Sequence, residues 1–156
     1  MTAQSIVLDC VKRGIMLWGE EGELCLRAPQ GALTPELRSA LKLHKTAVLR
    51  LLGDWKQHSI ASYEQQRLWF LSQLDEDSAA YAMEFVIQLD GQLKKDAFAA
   101  ALENIVLRHE PLRTTFKTIA GEMVQVVHNT MHTPIDTVDL RSNTSASRSE
   151  AIAEIV

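Results

Sequence analysis

The stretch GIMLWGEEGELCLR, residues 14–27, has the pattern of two short strands joined by a tight turn. Its second half alternates, which places Leu24 and Leu26 on one face of a strand. The glycines on either side of the Glu-Glu pair accept the positive φ angles that a turn needs. The sequence therefore predicts a β-hairpin, and the opposite face of its second strand carries Glu23, Cys25 and Arg27.

Helical patterns flank this hairpin on both sides. Upstream, apolar residues recur at intervals of three and four, which indicates a short amphipathic helix: Ile6, Val7, Cys10 and Val11. Downstream, Thr34-Pro35-Glu36 predicts a helix start with a cap, a first-turn proline and an acid that complements the helix dipole. The apolar stripe continues to Leu52, on the same helix or on a second one after a bend. So small a unit buries little apolar surface, and we expect part of it to pack against a partner.

Composition excludes several classes of protein. The chain has 156 residues, 46% of them hydrophobic, which is enough for a packed core. Its 16 basic and 20 acidic residues argue against a nucleic-acid-binding protein. There is neither an apolar run long enough to span a bilayer nor a basic region that would begin a secretory signal. With only two cysteines, a cytoplasmic protein without disulfides or membrane contact is predicted.

Charge divides the chain into two segments. Residues 1–55 hold seven basic and six acidic residues, whereas the remainder holds nine and fourteen. A helix-stopping glycine followed by polar residues marks the boundary. We therefore predict a first domain over residues 1–53, a linker over 54–61 and a second domain over 62–156.

The second segment mixes helices and strands. Ser62 and Gln65 form the pattern of a capping box, followed by a helix with leucines on one face. The pattern next predicts a strand over 81–90, a helix over 94–109, strands over 112–118 and 123–128, a further strand over 135–140, and a helix from 147. The inward face of the 94–109 helix is expected to carry Phe98, Ala101, Leu102, Ile105 and Val106. The last residues form an apolar stripe without a cap, which predicts that the chain stops inside a larger domain.

Both segments resemble parts of nonribosomal peptide synthetases. GIMLW and LCLRAPQGALTPEL, within residues 2–53, are similar to the TubC-type N-terminal docking domain, with Gln30 where the family has a lysine. SYEQQRLWFL at 62–71 and RHEPLRTTF at 108–116 are similar to the first two core motifs of condensation domains. Lys94 departs from the family's helix-capping Asp or Asn, so we expect that helix end to fray.

The resemblance implies an α+β chain. A small helix–β-hairpin–helix docking domain would precede an incomplete, chloramphenicol-acetyltransferase-like α/β half of a condensation domain. The motif residues with an expected structural role are Ser62, Gln65, Arg67, Trp69, Arg108, His109, Glu110 and Arg113. Among them, Arg67 and Arg113 are expected to form charge-assisted hydrogen bonds that hold helix and strand in register. His109 is expected to cap carbonyls or to pack.

The resemblance also implies a partner, the C-terminal tail of an upstream synthetase or polyketide synthase subunit, added as a strand to the hairpin edge. The candidate partner-binding residues are Lys12, Trp18, Glu23, Leu24, Cys25, Leu26, Arg27 and Ala28. Trp18 either lines a peptide pocket or packs on the helices. An Arg27→Glu change is expected to weaken tail binding at least tenfold, which is about 1.4 kcal/mol, in a calorimetric titration. A homodimer through the docking domain is left open.

No catalytic residue is assigned within these 156 residues. The family's chemistry needs a His-His-x-x-x-Asp-Gly motif, and the sequence holds no adjacent His pair. His128 and His132 have a zinc-like spacing but no obvious third ligand, so we expect no metal site. We also expect no bound cofactor, since phosphopantetheine would belong to the carrier domains of the parent assembly. Two alternatives remain: a piece of a peptide-bond-forming enzyme, or an inactive remnant.

Overall fold

The computed structural model describes residues 1–74, 83, 85–142, 147 and 151. Its elements belong to the α+β class. The first five are α1 (Ala3–Lys12), β1 (Met16–Glu20), β2 (Glu23–Arg27), α2 (Pro35–Leu43) and α3 (Lys45–Leu52). They are followed by β3 (Trp55–Ile60), α4 (Tyr63–Leu74), α5 (Lys95–Arg108), a short 3-10 helix (Glu110–Arg113), β4 (Thr114–Ile119) and β5 (Glu122–His128). No helix among the described residues is long and apolar enough to cross a membrane.

The hairpin has the register that the sequence predicts. Its two-residue turn, Glu21-Gly22, has φ angles of 49° and 80°, as in the turns that match strand twist. Trp18 lies opposite Cys25, and Leu17 lies opposite Leu26. The two leucines of β2 therefore share a face with Leu17 and pack toward the helices.

The helices around the hairpin form where the sequence places them. The four predicted apolar residues of α1 are all buried. Thr34 Oγ1 accepts a hydrogen bond from the Leu37 amide at 3.3 Å, which caps α2. The downstream stripe is divided between two helices, because the chain bends at His44 before α3 begins.

The predicted linker over 54–61 is wrong, because residues 55–60 form β3. This strand belongs to an antiparallel three-stranded sheet in the order β3–β5–β4. The register of β3 against β5 shifts between Trp55 and Gln57, so the buried side chains, Trp55 and His58, are three residues apart. A bulge of this kind removes the alternation that identifies a strand in a sequence.

Several other predictions for the second segment need correction. The described residues of the predicted strand over 81–90 (83 and 85–90) form no strand, and neither do residues 135–140. Phe85, Val86 and Ile87 are exposed, and an unpaired strand leaves its amides and carbonyls unbonded. The predicted inward face of α5 is also wrong in part, since Val106 is buried but Phe98 and Ile105 are exposed. Most of the helix predicted from 147, and the stripe at the chain end, lie outside the described residues.

The two segments share one hydrophobic core. Buried residues of α1, β1 and α3 pack in a single cluster with Trp55, Ile119, Val124 and Val126 of the three-stranded sheet. His58, 5% exposed, lies in this junction. Its Nε2 accepts a hydrogen bond of 3.0 Å from the Leu17 backbone amide of β1. The docking-like segment therefore buries one side against the sheet that follows it, as its small size requires.

This junction predicts a pH dependence of stability. Burial lowers the pKa of His58 below that of a free histidine. As the pH falls below about 6.5, the unfolded chain takes up a proton at this residue before the folded one does, so stability falls. We expect the wild-type melting temperature to drop more between pH 7.5 and 5.5 than that of His58→Gln, whose amide does not titrate. Calorimetric melts of both proteins measure this.

The control for this measurement is His109→Gln. His109 is exposed and lies away from the junction, so this variant should keep the wild-type pH dependence. An equal drop in wild type and His58→Gln would contradict the prediction.

Candidate interaction surface

The outer edge of β2 is open. In the described part of the chain, β2 pairs only with β1. A two-residue turn makes Glu20 and Glu23 a hydrogen-bonded pair, and in an antiparallel ladder such pairs alternate with non-bonded ones. The amides and carbonyls of Leu24 and Leu26 therefore point away from β1. They present two donors and two acceptors to an incoming extended chain.

A groove of about 350 Å³ runs between this edge and α2. Its apolar floor consists of Leu24, Leu26, Leu33 and Leu41. Its rim is basic, with Arg38, Lys42 and Lys45 facing a single acid, Glu23. Lys45 Nζ lies 2.5 Å from Glu23 Oε2. Arg38 and Lys42 are exposed and have no ion pair with any described residue, so the rim keeps two uncompensated positive charges.

A second groove, of about 540 Å³, lies on the other face of the hairpin. Met16, Trp18, Glu20 and Arg27 line one side of it, and Trp55, Lys56, Gln57 and Asn129 line the other. Trp18 is half-buried, and its Nε1 donates to Glu20 Oε2 at 3.4 Å. Of the two alternatives for Trp18, the structure places it in a groove and not among the helices.

The predicted partner-binding residues therefore do not form a single surface. Leu24 and Leu26 form part of the groove beside α2, with Glu23 on its rim, whereas Arg27 faces the second groove. Ala28 is half-buried against the core. Lys12 lies in neither groove, because its Nζ pairs with Glu122 Oε1 at 2.7 Å, between α1 and the start of β5.

Sequence reasoning missed the basic rim. Arg38 and Lys42 are four residues apart on α2, on the helix that also buries Leu37 and Leu41. That spacing puts two like charges side by side. The charge pair was visible in the sequence, but only the fold shows that it stands beside the open strand.

Neither cysteine has the character of a reactive thiol. Burial, together with the nearby Asp9 carboxylate, raises the pKa of Cys10 to about 12. Partial burial and the Glu20 carboxylate raise the pKa of the Cys25 thiol. A thiol nucleophile must be deprotonated, so neither residue adds chemistry to these grooves.

The residues of the second predicted motif form a polar network at one end of the sheet. Arg113 is 3% exposed, and its guanidinium donates to the His128 backbone carbonyl and, at 3.4 Å, to Glu110 Oε1. Lys56 Nζ donates to the same Glu110 oxygen at 2.8 Å, which lowers the pKa of that carboxyl. Arg113 thus connects the 3-10 helix with the end of β5, and its predicted role in holding helix and strand in register stays a prediction.

Other motif residues differ from their predicted roles. Arg67 is exposed and has no hydrogen bond or ion pair with any residue that the structure describes, so its charge-assisted bond stays a prediction. The side chain of His109 is also exposed, and only its backbone takes part in the end of α5. Arg108 is exposed and Trp69 is half-buried. The capping box is confirmed, since the Ser62 amide donates to Gln65 Oε1 at 2.8 Å and the Gln65 amide to Ser62 Oγ at 3.2 Å.

His128 links three parts of the chain. Its Nδ1 lies 2.7 Å from Asp54 Oδ1, and its Nε2 lies 2.7 Å from Thr115 Oγ1. Both ring nitrogens are therefore engaged in joining the start of β3 to β4. His132 is exposed, and the described residues contain no group of three or more side chains suited to hold a metal.

Comparison with known proteins identifies both segments. Residues 56–156 match the family model of the condensation domain, and residues 4–54 match that of the TubC N-terminal docking domain. The chain belongs to the condensation domain family. It carries a TubC-type docking domain in front of part of a condensation domain, and the boundary of the two matches falls at the start of β3.

Its curated relatives are synthetases. Over 94 residues it is 44% identical to a subunit of the linear gramicidin synthase of Brevibacillus parabrevis, a match that covers 60% of this chain and 1% of the relative. Over 142 residues it is 27% identical to bacitracin synthase 2 of Bacillus licheniformis, covering 81% and 5%. The chain thus spans only a few per cent of these relatives' length.

Among solved structures, the chain is similar to the EpoB cyclization-docking bidomain of Sorangium cellulosum. The match covers 97% of this chain and 32% of the bidomain chain. The identity is 18% and the TM-score is 0.46.

Proposed function

We propose that the docking domain binds the C-terminal tail of an upstream synthetase or polyketide synthase subunit by adding it as a strand to β2. The observation that carries this proposal is the open edge of β2, where Leu24 and Leu26 present unpaired amides and carbonyls beside an apolar groove. An extended peptide gains main-chain hydrogen bonds at such an edge, and the flanking groove selects its side chains.

The shared core would fix the position of a docked tail relative to the condensation domain. Because α1 and β1 pack on the sheet of the condensation domain, a tail bound at β2 is held at a fixed place relative to that domain. Tethering raises the effective concentration of whatever the partner carries. We propose that the partner's carrier domain, with its phosphopantetheine-bound chain, is delivered to the condensation domain in this way.

In this proposal the 156 residues themselves supply recognition and not peptide-bond chemistry. They hold no adjacent His pair, and the polar residues that the structure brings together, Arg113, Glu110 and His128, bond to one another at the end of the sheet. A homodimer through the docking domain stays a prediction, which sedimentation of the full chain would check.

The test uses the outward amide of β2. Leu26→Pro removes one donor from the open edge, and proline is tolerated at edge positions whose amide faces solvent. Leu26→Ala removes the same side chain but keeps the amide. With a synthetic C-terminal tail of the upstream subunit as probe, we expect Leu26→Pro to bind about tenfold more weakly than Leu26→Ala.

Calorimetric titration of the full chain measures both affinities, and circular dichroism verifies that both variants are folded. Equal affinities of the two folded variants would contradict strand addition. The Arg27→Glu prediction is checked in the same titration.

A further inference from the structure

The joint between the docking domain and the three-stranded sheet depends on a histidine. In the described part of the chain, no strand ladder connects β1 to β3, because the hairpin and the three-stranded sheet are separate sheets. The two strands meet through buried side chains and through the bond from the Leu17 amide to His58 Nε2. The hairpin is therefore attached to the sheet by packing and by a bond that ends on a titratable ring.

This ring has no place for a second proton while the joint is closed. A backbone amide only donates, so Nε2 of His58 accepts, and the proton of the neutral imidazole lies on Nδ1. Nδ1 is buried without a hydrogen-bond partner among the described residues. A proton added to Nε2 would face the Leu17 N–H, and the charged ring would be buried without an acceptor. The contact between β1 and β3 has to open before His58 takes up this proton.

The charges around His58 do not compensate a cation there. The elements packed against β3 are α1, β1 and β5. The titratable or charged side chains of β3 and of these elements include Asp9, Cys10, Lys12, Glu20, Lys56, Glu122 and His128. The three carboxylates among them bond to other residues: Asp9 to Arg13, Glu20 to Trp18 and Glu122 to Lys12. Lys117 adds a positive charge over Trp55, the ring that packs against His58.

The opposite end of the joint keeps its bonds when protons are added. His128 Nδ1 lies 2.7 Å from Asp54 Oδ1, and the Asn129 amide donates to the Asp54 carbonyl at 2.9 Å. A neutral or a charged imidazole can donate from Nδ1 to a carboxylate, and the Thr115 hydroxyl at Nε2 can donate or accept. Gly53 precedes Asp54 with a φ of 56°, and a Cβ there would meet no atom within 4 Å. Such a residue at the end of a helix can absorb a rotation.

We propose that the joint is a proton-controlled hinge, in which uptake of a proton by His58 separates β1 from β3 while the docking domain stays attached at Gly53 and Asp54. The ion pair between Lys12 and Glu122 is about half-exposed, so it opposes this motion only weakly. Opening changes where the docking domain lies relative to the condensation domain. The hinge does not depend on how a partner binds, so it is independent of the strand-addition proposal.

Hydrogen exchange of the Leu17 amide, followed by nuclear magnetic resonance on the full chain, tests the role of His58. In the open form we expect an ordinary histidine pKa of about 6.5, so the open fraction should rise about tenfold between pH 7.5 and 5.5. The protection factor of Leu17, corrected for the intrinsic pH dependence of exchange, should fall by the same factor. In His58→Gln it should stay constant, because the glutamine oxygen can accept from Leu17 and does not titrate.

His128→Gln is the matched control, since it removes the other histidine of the joint. We expect this variant to lose protection at Leu17 about tenfold, as the wild type does. An equal fall in wild type and His58→Gln would overturn the proposal. A fall that disappears in His128→Gln instead would overturn the assignment to His58.

Urea separates a hinge from other kinds of opening. Urea accelerates exchange in proportion to the surface that an opening exposes. The Leu17 amide should depend on urea less steeply than the amide of Val126, in the middle of the sheet, but measurably. The same slope as Val126 would mean that the joint opens only by global unfolding, and a slope of zero would mean that only the His58 side chain moves. Either slope, or identical protection of Leu17 and Asn129 at both pH values, would overturn the hinge.

Discussion

Replacing Trp55 by alanine should lower the free energy of unfolding by about 3–5 kcal/mol, the usual cost of removing a large aromatic side chain from a core. Trp55 is 1% exposed and is among the largest fully buried side chains of the described chain. The centroids of the Trp55 and His58 rings lie 5.8 Å apart in an edge-to-face arrangement. Lys117 Nζ lies over the indole, 5.5 Å from its centroid. Urea unfolding of the full chain, followed by far-ultraviolet circular dichroism, measures the loss.

Trp55→Phe is the matched variant. The indole Nε1 of Trp55 is buried without a hydrogen-bond partner among the described residues, so phenylalanine removes an unsatisfied donor while it keeps much of the aromatic volume. We expect a loss well below that of the alanine variant. Equal stabilities of Trp55→Ala and Trp55→Phe would contradict a core role for this side chain.

The second large effect is expected at Arg113. Arg113→Ala should destabilise the chain by about 2–3 kcal/mol, because it leaves the partly buried His128 carbonyl without its donor and opens a void in the packing. Glu110 keeps its bond to Lys56, which limits the cost. The same urea titration measures this change.

Arg67→Ala is the control for this prediction. Both arginines occur in motifs of the condensation family, but only Arg113 is buried and bonded. Since Arg67 is exposed, its replacement should change stability by no more than about 0.5 kcal/mol. A loss at Arg67 as large as that at Arg113 would show that motif membership, and not burial, sets the cost.

The hairpin and its helices could be predicted because their signals are local. The alternation around Leu24 and Leu26, the glycine of the turn and the cap at Thr34 each determine a short stretch of backbone without help from distant residues. The capping box at Ser62 is local in the same way. These elements agree between sequence and structure for that reason.

The errors occur where structure depends on distant partners. β3 lacks alternation because of a bulge, and it forms because β5, far along the chain, pairs with it. Residues 85–90 are as apolar as a strand but pair with no described strand. The basic rim required the packing of α2 beside β2, which no local pattern specifies. Sequence reasoning therefore placed the candidate interaction surface on the hairpin but did not find the charges that border it.

The core that joins α1 and β1 to the three-stranded sheet bears on any attempt to build chimeric assembly lines. Cutting the chain at residue 54 would separate Ile6 and Leu17 from Trp55 and Val126, and would leave apolar surface uncovered on both pieces. Arg38 and Lys42, in contrast, are exposed and lie outside this shared core, so substitutions at these two positions would leave it intact.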